Sequence, residues 1–527
     1  MKYYKDLREY IDALRKNEKL VTVKRKINKD TELQPLVAWQ FRGLSPSQRK
    51  GFLFENVTDS KGTKYQSSVA TSIIAASDEI YALAMQCEVK EIVEKWSRAR
   101  NNPIEPVMVK TGPVKENILR GKDLEKPGGG LEKFPIPLST PGFDSAPYLT
   151  APCIVTKDPE SGIRNVGTYR MMVKGKAKTG LFFSPSQHIA IHWRKWKSLG
   201  KPMEAAVCLG SMPAIPLLSV TNIPYMVDEY TVAGGIAGFP IELVKCETID
   251  MEVPATTEIV LEGTVTTDYV ESEGHFGEFS GYMGEMTMSP IFEIKCITHR
   301  NNPIYHGFLC MFPPNEDSKI RAVARNANYY QQLKYANNIP SILDVCFHET
   351  GGSSAFMVIQ MKKDNPWQVW QALNIAAGYD SGVGKIIIAV DEDVDPKDLD
   401  AVIWAMSYRI QPHRDTRIVT GKRQMLDPSS YPLDNPPPLN LQWTSSILID
   451  ATRKWDYPPV SLPAKKYMEK ARKIWEEEGL PNLSPKKPWH GYNLGFWTEE
   501  DERHAEWAVK GEYQKVAEEL AKKWKKE

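Results

Sequence analysis

The sequence predicts an α/β protein of α+β type, built from more than one domain. Three features carry this expectation. The chain has 527 residues, more than one hydrophobic core ordinarily serves. From about residue 150 to 310 it runs through short segments rich in Val, Ile and Thr and bounded by turns, the mark of a β-rich block. Beyond residue 336 strand-like and helix-like segments alternate, the mark of an α/β layer.

In MKYYKDLREYIDALRKNEKL, Leu7, Ile11 and Leu14 recur at helical spacing with charges between them. This is an amphipathic helix rather than the continuous apolar core of a secretory signal. TELQPLVAWQFRGL and SDEIYALAMQCEVKEIVEKWSRARNN read as amphipathic helices, and GFLFENV and YQSSVATSII as strands between them. PGGGLEKFPIPLSTPGFDSAPYLTAP holds too much proline and glycine for regular structure, and loops of that length in compact domains are often functional. APCIVTKD, VGTYRMMVK, AAVCLG, IELVKCETIDMEV, EIVLEGTVTTDYV and IFEIKCITHR are strands whose succession suggests a barrel or curled sheet. SKIRAVARNANYYQQLKYAN is a long helix and a linker. SILDVCFHE, AFMVIQMKK and GKIIIAVDED are strands, with NPWQVWQALNIAAG and DLDAVIWAMSYRI as helices. The last sixty or so residues are proline-punctuated, then helical and rich in Lys and Glu, fitting a solvated or subunit-packing tail.

Composition narrows the function. Lys+Arg is 67 and Asp+Glu is 66, without the basic excess of a dedicated nucleic-acid binder. No apolar run approaches the ~18 residues of a membrane span. The seven cysteines are scattered and form no CxxC, as expected of small buried thiols in a reducing cytoplasm.

Four stretches hold residues suited to chemistry. RNVGTYRMMVK places Asn165 and Arg170 in a strand-like run that, taken alone, reads first as an ordinary strand with an exposed arginine. SPSQHIAIHW sets His188 and His192 four apart, on one face if helical; the spacing suits a metal, but the glutamate of HExxH is missing. VDEYTVAGG puts Asp228 and Glu229 at the start of a helical stretch, where acids also sit for dipole reasons alone. EGHFGEFSGYMG sets Glu273 and Glu278 five apart among glycines. Gly274 and Gly277 are expected to supply backbone angles other residues avoid. Such a loop can present two carboxylates to one point, where they resist joint ionisation and one becomes a proton donor. A hairpin with exposed acids remains the alternative.

In order and context, NVGTYR, SQHIA, DEYTVAGG with ELVKCET, VPATTEIVLEG and EGHFGEFSGY resemble the UbiD-like family of prenylated-flavin-dependent decarboxylases over nearly the whole chain. The resemblance implies an N-terminal prenylated-FMN-binding domain over 1–312, with a flavin-reductase-like split β-barrel at about 115–312. It further implies a linker helix at 313–335, a C-terminal α/β oligomerisation domain at 336–465 and a helical tail at 466–527. It implies prenylated FMN whose phosphate is held through a divalent metal (Mn2+, with Fe2+ or Mg2+ as alternatives) with K+ beside it. The metal ligands match Asn165, His188 and Glu229; Gln187 and Ser219 fall where the family contacts the cofactor or the K+ site. The catalytic set matches Arg170, Glu273 and Glu278, with Arg170 also at the cofactor and Glu278 as proton donor. His275 stands where many relatives have proline, and NIAAGYDSGVGK lacks the phosphate-binding lysine some relatives carry, with Lys385 a doubtful substitute.

The substrate implied is an aromatic carboxylic acid or its CoA ester, phthaloyl-CoA included, HWRKWKSLGK and SKIRAVAR being possible anion contacts or simply solvated faces. A flavin prenyltransferase supplies the cofactor, and a homo-oligomer, dimer to hexamer, is expected. Two other readings stand beside this one: a non-catalytic subunit of a multi-subunit carboxylase, and a flavin-binding redox protein.

Overall fold

Asp6 accepts a hydrogen bond from Glu9 N and starts the helix Leu7–Lys16, whose Leu7, Tyr10, Ile11 and Leu14 are buried as 3.6-residue spacing requires. Leu33–Gly43 forms the second expected helix. The third expected helix is two: Asp78–Met85 and Ile92–Asn101, broken where Gln86 takes a left-handed conformation with φ 57°. Leu20–Val23, Gly51–Phe54, Ser68–Thr71 and Ile304–His306 form a four-stranded mixed sheet.

This computed structural model describes residues 2–423, 426–432, 435, 437–438 and 442–524. They divide into one unit of Met1–Gln332, Phe347–Phe356 and Arg423–Thr444, and another of Leu333–Cys346, Met357–Lys422 and Ser445–Glu527.

The β-rich block of the first unit is a nine-stranded sheet: β1 (Asn117–Arg120), β2 (Tyr148–Leu149), β3 (Cys153–Lys157), β4 (Arg164–Thr168), β5 (Met171–Gly175), β6 (Lys178–Gly180), β7 (Met203–Leu209), β8 (Ile259–Glu273) and β9 (Thr287–His299). The strand order is β4-β3-β7-β8-β9-β6-β5-β2, with β1 also on β9, and every pairing is antiparallel. The expected single strand VGTYRMMVK is thus two, β4 at one end of the order and β5 next to the other. Only Tyr169 and Arg170 join them. Three Cα–Cα steps reach at most about 11 Å, so the two ends lie side by side and the sheet is curled into a half-closed barrel. A register shift in β8 between Val265 and Val270 helps it bend. Ile154, Val155, Val207, Val260, Leu261, Phe292 and Ile297 fill the sheet's core, fully buried; each such side chain contributes about 1.5–3 kcal/mol of burial.

The second unit carries a five-stranded sheet in the order Ile342–Phe347, Phe356–Met361, Ile386–Asp391, Trp443–Ala451, Thr416–Arg423, with helices Pro366–Tyr379 and Leu399–Tyr408 between strands. Arg409 is buried against Asp391 and Asp393 at 2.9 and 2.5 Å. The tail forms helices Lys465–Glu477, Glu499–Val509 and Tyr513–Trp524, and the first two bury no residue. No helix among the described residues is long and apolar enough to cross a membrane.

Candidate active site

The β4–β5 corner and the β8–β9 loop bring Arg170, Glu273 and Glu278 together. Glu273 ends β8 and pairs with Thr287 across the hairpin. Arg170 Nε donates to Glu273 Oε1 at 2.9 Å, and its Nη1 forms an ion pair with Glu278. The Glu273 side chain is wholly buried, and those of Arg170 and Glu278 are 10% and 11% exposed. One guanidinium therefore serves two carboxylates. Its face lies 4.2 Å from the Phe182 ring centre and 5.9 Å from that of Phe276, a cation–π arrangement that holds the fork in place. Burial pushes the Glu273 carboxyl above its ordinary range, against the pull of Arg170, Ser289 and Lys174.

Glu278 opens a tight hairpin. Its N–H donates to Tyr282 O, Gly281 N–H donates back to Glu278 O, and Gly281 has φ +87°. This is the three-residue turn that wants glycine in its left-handed position. Gly274 and Gly277, expected to take such angles, do not. Gly274 is required for another reason: a Cβ there would lie 2.5 Å from Ser145 Cβ. The loop is clamped from the proline-rich passage. His275 N donates to Ser145 Oγ at 3.1 Å, Tyr148 Oη to Gly274 O at 2.8 Å, and Asp144 accepts from Ser139 and Thr140 amides. His275 is exposed, and its Nδ1 bonds Gly284 O at 2.9 Å. The bond requires Nδ1–H.

Asn165 on β4 and Glu229, first residue of the helix Glu229–Ala237, are both buried. Glu229 Oε2 accepts from the Val166 amide, next to Asn165, at 3.0 Å. Glu229 makes no ion pair among the described residues, and burial pushes its carboxyl up to about 8. Neighbouring Asp228 differs: it caps the helix and binds Arg164 at 2.8 and 2.5 Å, a structural role. His188 begins the helix His188–Ser198, half-buried, with burial lowering its pKa. His188 and His192 both meet Tyr225, at 5.3 and 6.2 Å, as residues on one face should. His192 is a core histidine, its Nδ1 at 3.0 Å from Thr156 Oγ1. Gln187 is exposed and accepts from Ser184 N at 2.7 Å. Ser219 is buried, bonded to Thr168 Oγ1 at 2.7 Å and Pro216 O at 3.0 Å.

Sequence reasoning passed over Tyr169. Its hydroxyl takes a long 3.5 Å bond from Asn165 Nδ2 and lies near the Ile189 amide and Glu229. It is a common neighbour of the three ligand candidates or their adjacent backbone. Gly167 carries the signal: a Cβ there would lie 2.3 Å from that hydroxyl. Asp158 was also missed. It accepts from Lys195 and Tyr225 Oη, both at 2.6 Å, and so fixes the ring that abuts His188.

The basic stretches are only partly solvated: Arg194, Lys197 and Lys201 are exposed, while three other cations are engaged in ion pairs. Lys195 binds Asp158 and Glu160, buried Lys319 binds Asp78 and Glu349, and Arg321 binds Asp317.

Comparison with known proteins adds to this geometry. Residues 106–313 match the 3-octaprenyl-4-hydroxybenzoate carboxy-lyase Rift-related domain (UbiD), and 319–451 match the corresponding C-terminal domain. An uncharacterized protein of Archaeoglobus fulgidus is 30% identical over 494 residues, 90% of this chain and 98% of that one. An evolved dimeric form of the UbiD-class enzyme HmfF from Pelotomaculum thermopropionicum, in complex with prFMN, superposes with TM-score 0.75 at 30% identity, covering 87% of this chain and 97% of that one. The vanillic acid decarboxylase of Sedimentibacter hydroxybenzoicus, in closed form, has TM-score 0.78 at 27% identity, covering 90% and 100%.

Proposed function

The chain belongs to the UbiD family of carboxy-lyases, and we propose that within it this protein is a prenylated-FMN-dependent, non-oxidative and reversible decarboxylase of an aromatic or α,β-unsaturated carboxylic acid. The observation that carries the reading is the Arg170 guanidinium shared by Glu273 and Glu278. When bound, prenylated FMN supplies the electron sink that loss of carbon dioxide needs. The chain's own residues do the rest. Arg170 opposes the burial that would neutralise Glu273 and orients the acid. Two carboxylates against one cation leave room for one proton, and Glu278 delivers it to the carbon that lost carbon dioxide. In the reverse direction Glu278 removes it.

Asn165, His188 and Glu229 would hold the divalent metal, Mn2+ with Fe2+ or Mg2+ as alternatives. The donor set fits. Glu229 is a buried carboxylate with no cation paired to it among the described residues, Asn165 Nδ2 is turned to Tyr169, which leaves its oxygen to ligate, and burial favours the neutral imidazole of His188. Ser219 would border the K+ site. Gln187, its oxygen spent on Ser184 N, would offer its amide N–H groups to a phosphate.

Phe182, Phe276 and Tyr148, the last two 4.5 Å apart, line the catalytic set with aromatic rings and suit an aromatic acid. The commitment of Lys195, Lys319 and Arg321 to internal pairs favours a free acid over a CoA ester such as phthaloyl-CoA. A homo-oligomer is supported by exposed Trp367, Ile403, Tyr408 and Ile418 on the second unit, and a cytoplasmic setting by seven cysteines that form no disulfide among the described residues. The test is anaerobic co-expression with a flavin prenyltransferase, then a screen of aromatic acids and their CoA esters for carbon dioxide release. Release from a free aromatic acid is expected. No release from any of them, by protein loaded with cofactor, would overturn the reading.

A further inference from the structure

Glu273 has a second cation beside it. Lys174 lies on β5, and its ammonium donates to Ser272 O at 2.6 Å and to Glu271 at 3.2 Å. Its stem runs past the catalytic carboxylate. The position of a Cβ on Gly180 lies 3.4 Å from Lys174 Cε, 3.5 Å from Glu273 Oε2 and 3.1 Å from Ser289 Oγ. The lysine stem and Oε2 are thus at most the sum of the first two distances apart. Arg170 holds Oε1 of Glu273, and Oε2 faces the Lys174 side. Glu278 lacks such a neighbour: Arg170 is its only ion-pair partner among the described residues.

Every charged or titratable group around Glu273 bears on this asymmetry. Arg170 comes from the β4–β5 corner and Lys174 from β5. Glu271 on β8 is tied to Lys178 on β6 as well as to Lys174, so it does not cancel Lys174 alone. Tyr148 on β2 stays a neutral phenol, pushed up by burial. Asp144, His275 and Glu278 lie in the flanking loops, and Ser289 and Thr287 on β9 are uncharged.

We infer that Lys174 is a positioning residue for proton transfer: it holds Glu273 anionic, so that the proton shared by the two carboxylates resides on Glu278. The inference rests on the decarboxylase reading for its purpose, and the coupling it asserts is measurable without cofactor. An ammonium within several ångströms in a partly screened site moves a carboxyl by about one pH unit.

The experiment is an infrared pH titration of the cofactor-free full chain, with the Glu273 carboxyl band identified by its loss in Glu273→Gln. In Lys174→Met that band titrates about one pH unit higher than in wild type, and Lys174→Arg restores it. In loaded enzyme Lys174→Met lowers kcat about tenfold at unchanged KM. Lys174→Gln, which keeps a polar end for Ser272 O, replaces the Met variant if that does not fold. An unchanged midpoint in Lys174→Met, or an arginine variant that behaves like the methionine one, overturns the inference. Loaded wild type is assayed in parallel for carbon dioxide release. Its silence overturns the functional reading and the proton-transfer role with it, whereas a titration failure in active enzyme overturns the inference alone.

Discussion

Replacing Arg170 by methionine keeps the stem's bulk and removes the cation that two carboxylates share. With Nε at 2.9 Å from Glu273 Oε1, charge centres about 4 Å apart and an effective dielectric of about 20, the attraction lost to Glu273 is about 4 kcal/mol. Glu273 has no exposed surface on which to be hydrated instead. Stripping one partner from a buried pair costs about 3–5 kcal/mol if the other stays charged. The carboxyl can escape by taking a proton, so the cost depends on pH. Burial already holds Glu273 above its ordinary range, and in the variant it is held higher still. A carboxyl whose folded pKa is raised above its unfolded value contributes stability that is fully present below the unfolded value and is lost as pH rises through the folded one. The melting-temperature deficit of Arg170→Met is therefore small near pH 5 and grows to several degrees by pH 8.5, with turnover lost throughout. Arg170→Lys is intermediate, since one ammonium cannot fork to both carboxylates. Thermal unfolding of wild type and both variants across that range is the assay. A deficit that is constant with pH, or that shrinks as pH rises, would refute the electrostatic account of the cluster.

Three further outcomes are expected. Glu278→Gln retains bound cofactor and loses at least ~100-fold in turnover, as removal of a general acid should; near-normal carbon dioxide release would sink its role as proton donor. His188→Ala loses divalent metal and flavin together, by elemental analysis and absorbance, and normal flavin occupancy would disprove the ligand assignment. Tyr169→Phe folds normally but binds the metal about tenfold more weakly, because the group that orients Asn165 is gone; titration of the metal in the presence of FMN reads this directly, and wild-type affinity would show that the hydroxyl orients nothing.

Much of the fold was legible because side-chain spacing and burial obey the same geometry. Leu7, Ile11 and Leu14 mark a helix and are buried on one. The strands of the barrel were legible as strands, but their pairing was not. Nothing in VGTYRMMVK says that the chain leaves one end of the sheet and joins the other at Tyr169–Arg170, because that corner is imposed by closure of the whole barrel. The break at Gln86 was hidden for a similar reason: tertiary packing overrode a residue with no strong turn preference. At the site, the residue types of EGHFGEFSGYMG pointed to two carboxylates on a tight loop; Glu273 instead ends strand β8 and Glu278 alone opens the turn, and the glycine with a positive φ is Gly281 rather than Gly274 or Gly277. Two adjacent acids, Asp228 and Glu229, look alike in sequence. One is held by Arg164, and the other is buried with no paired cation among the described residues. Only three-dimensional contacts separate them, as they separate core His192 from His188.

The proposed activity is decarboxylation through prenylated FMN with Glu278 as the acid. Its most direct test is mass spectrometry of the cofactor released from protein purified anaerobically after co-expression with a flavin prenyltransferase, on a sample that is also assayed for carbon dioxide. The prenylated-FMN mass and release of carbon dioxide from an aromatic acid are expected. Unmodified flavin alone, or no flavin at all, with no carbon dioxide released, would contradict the proposed activity.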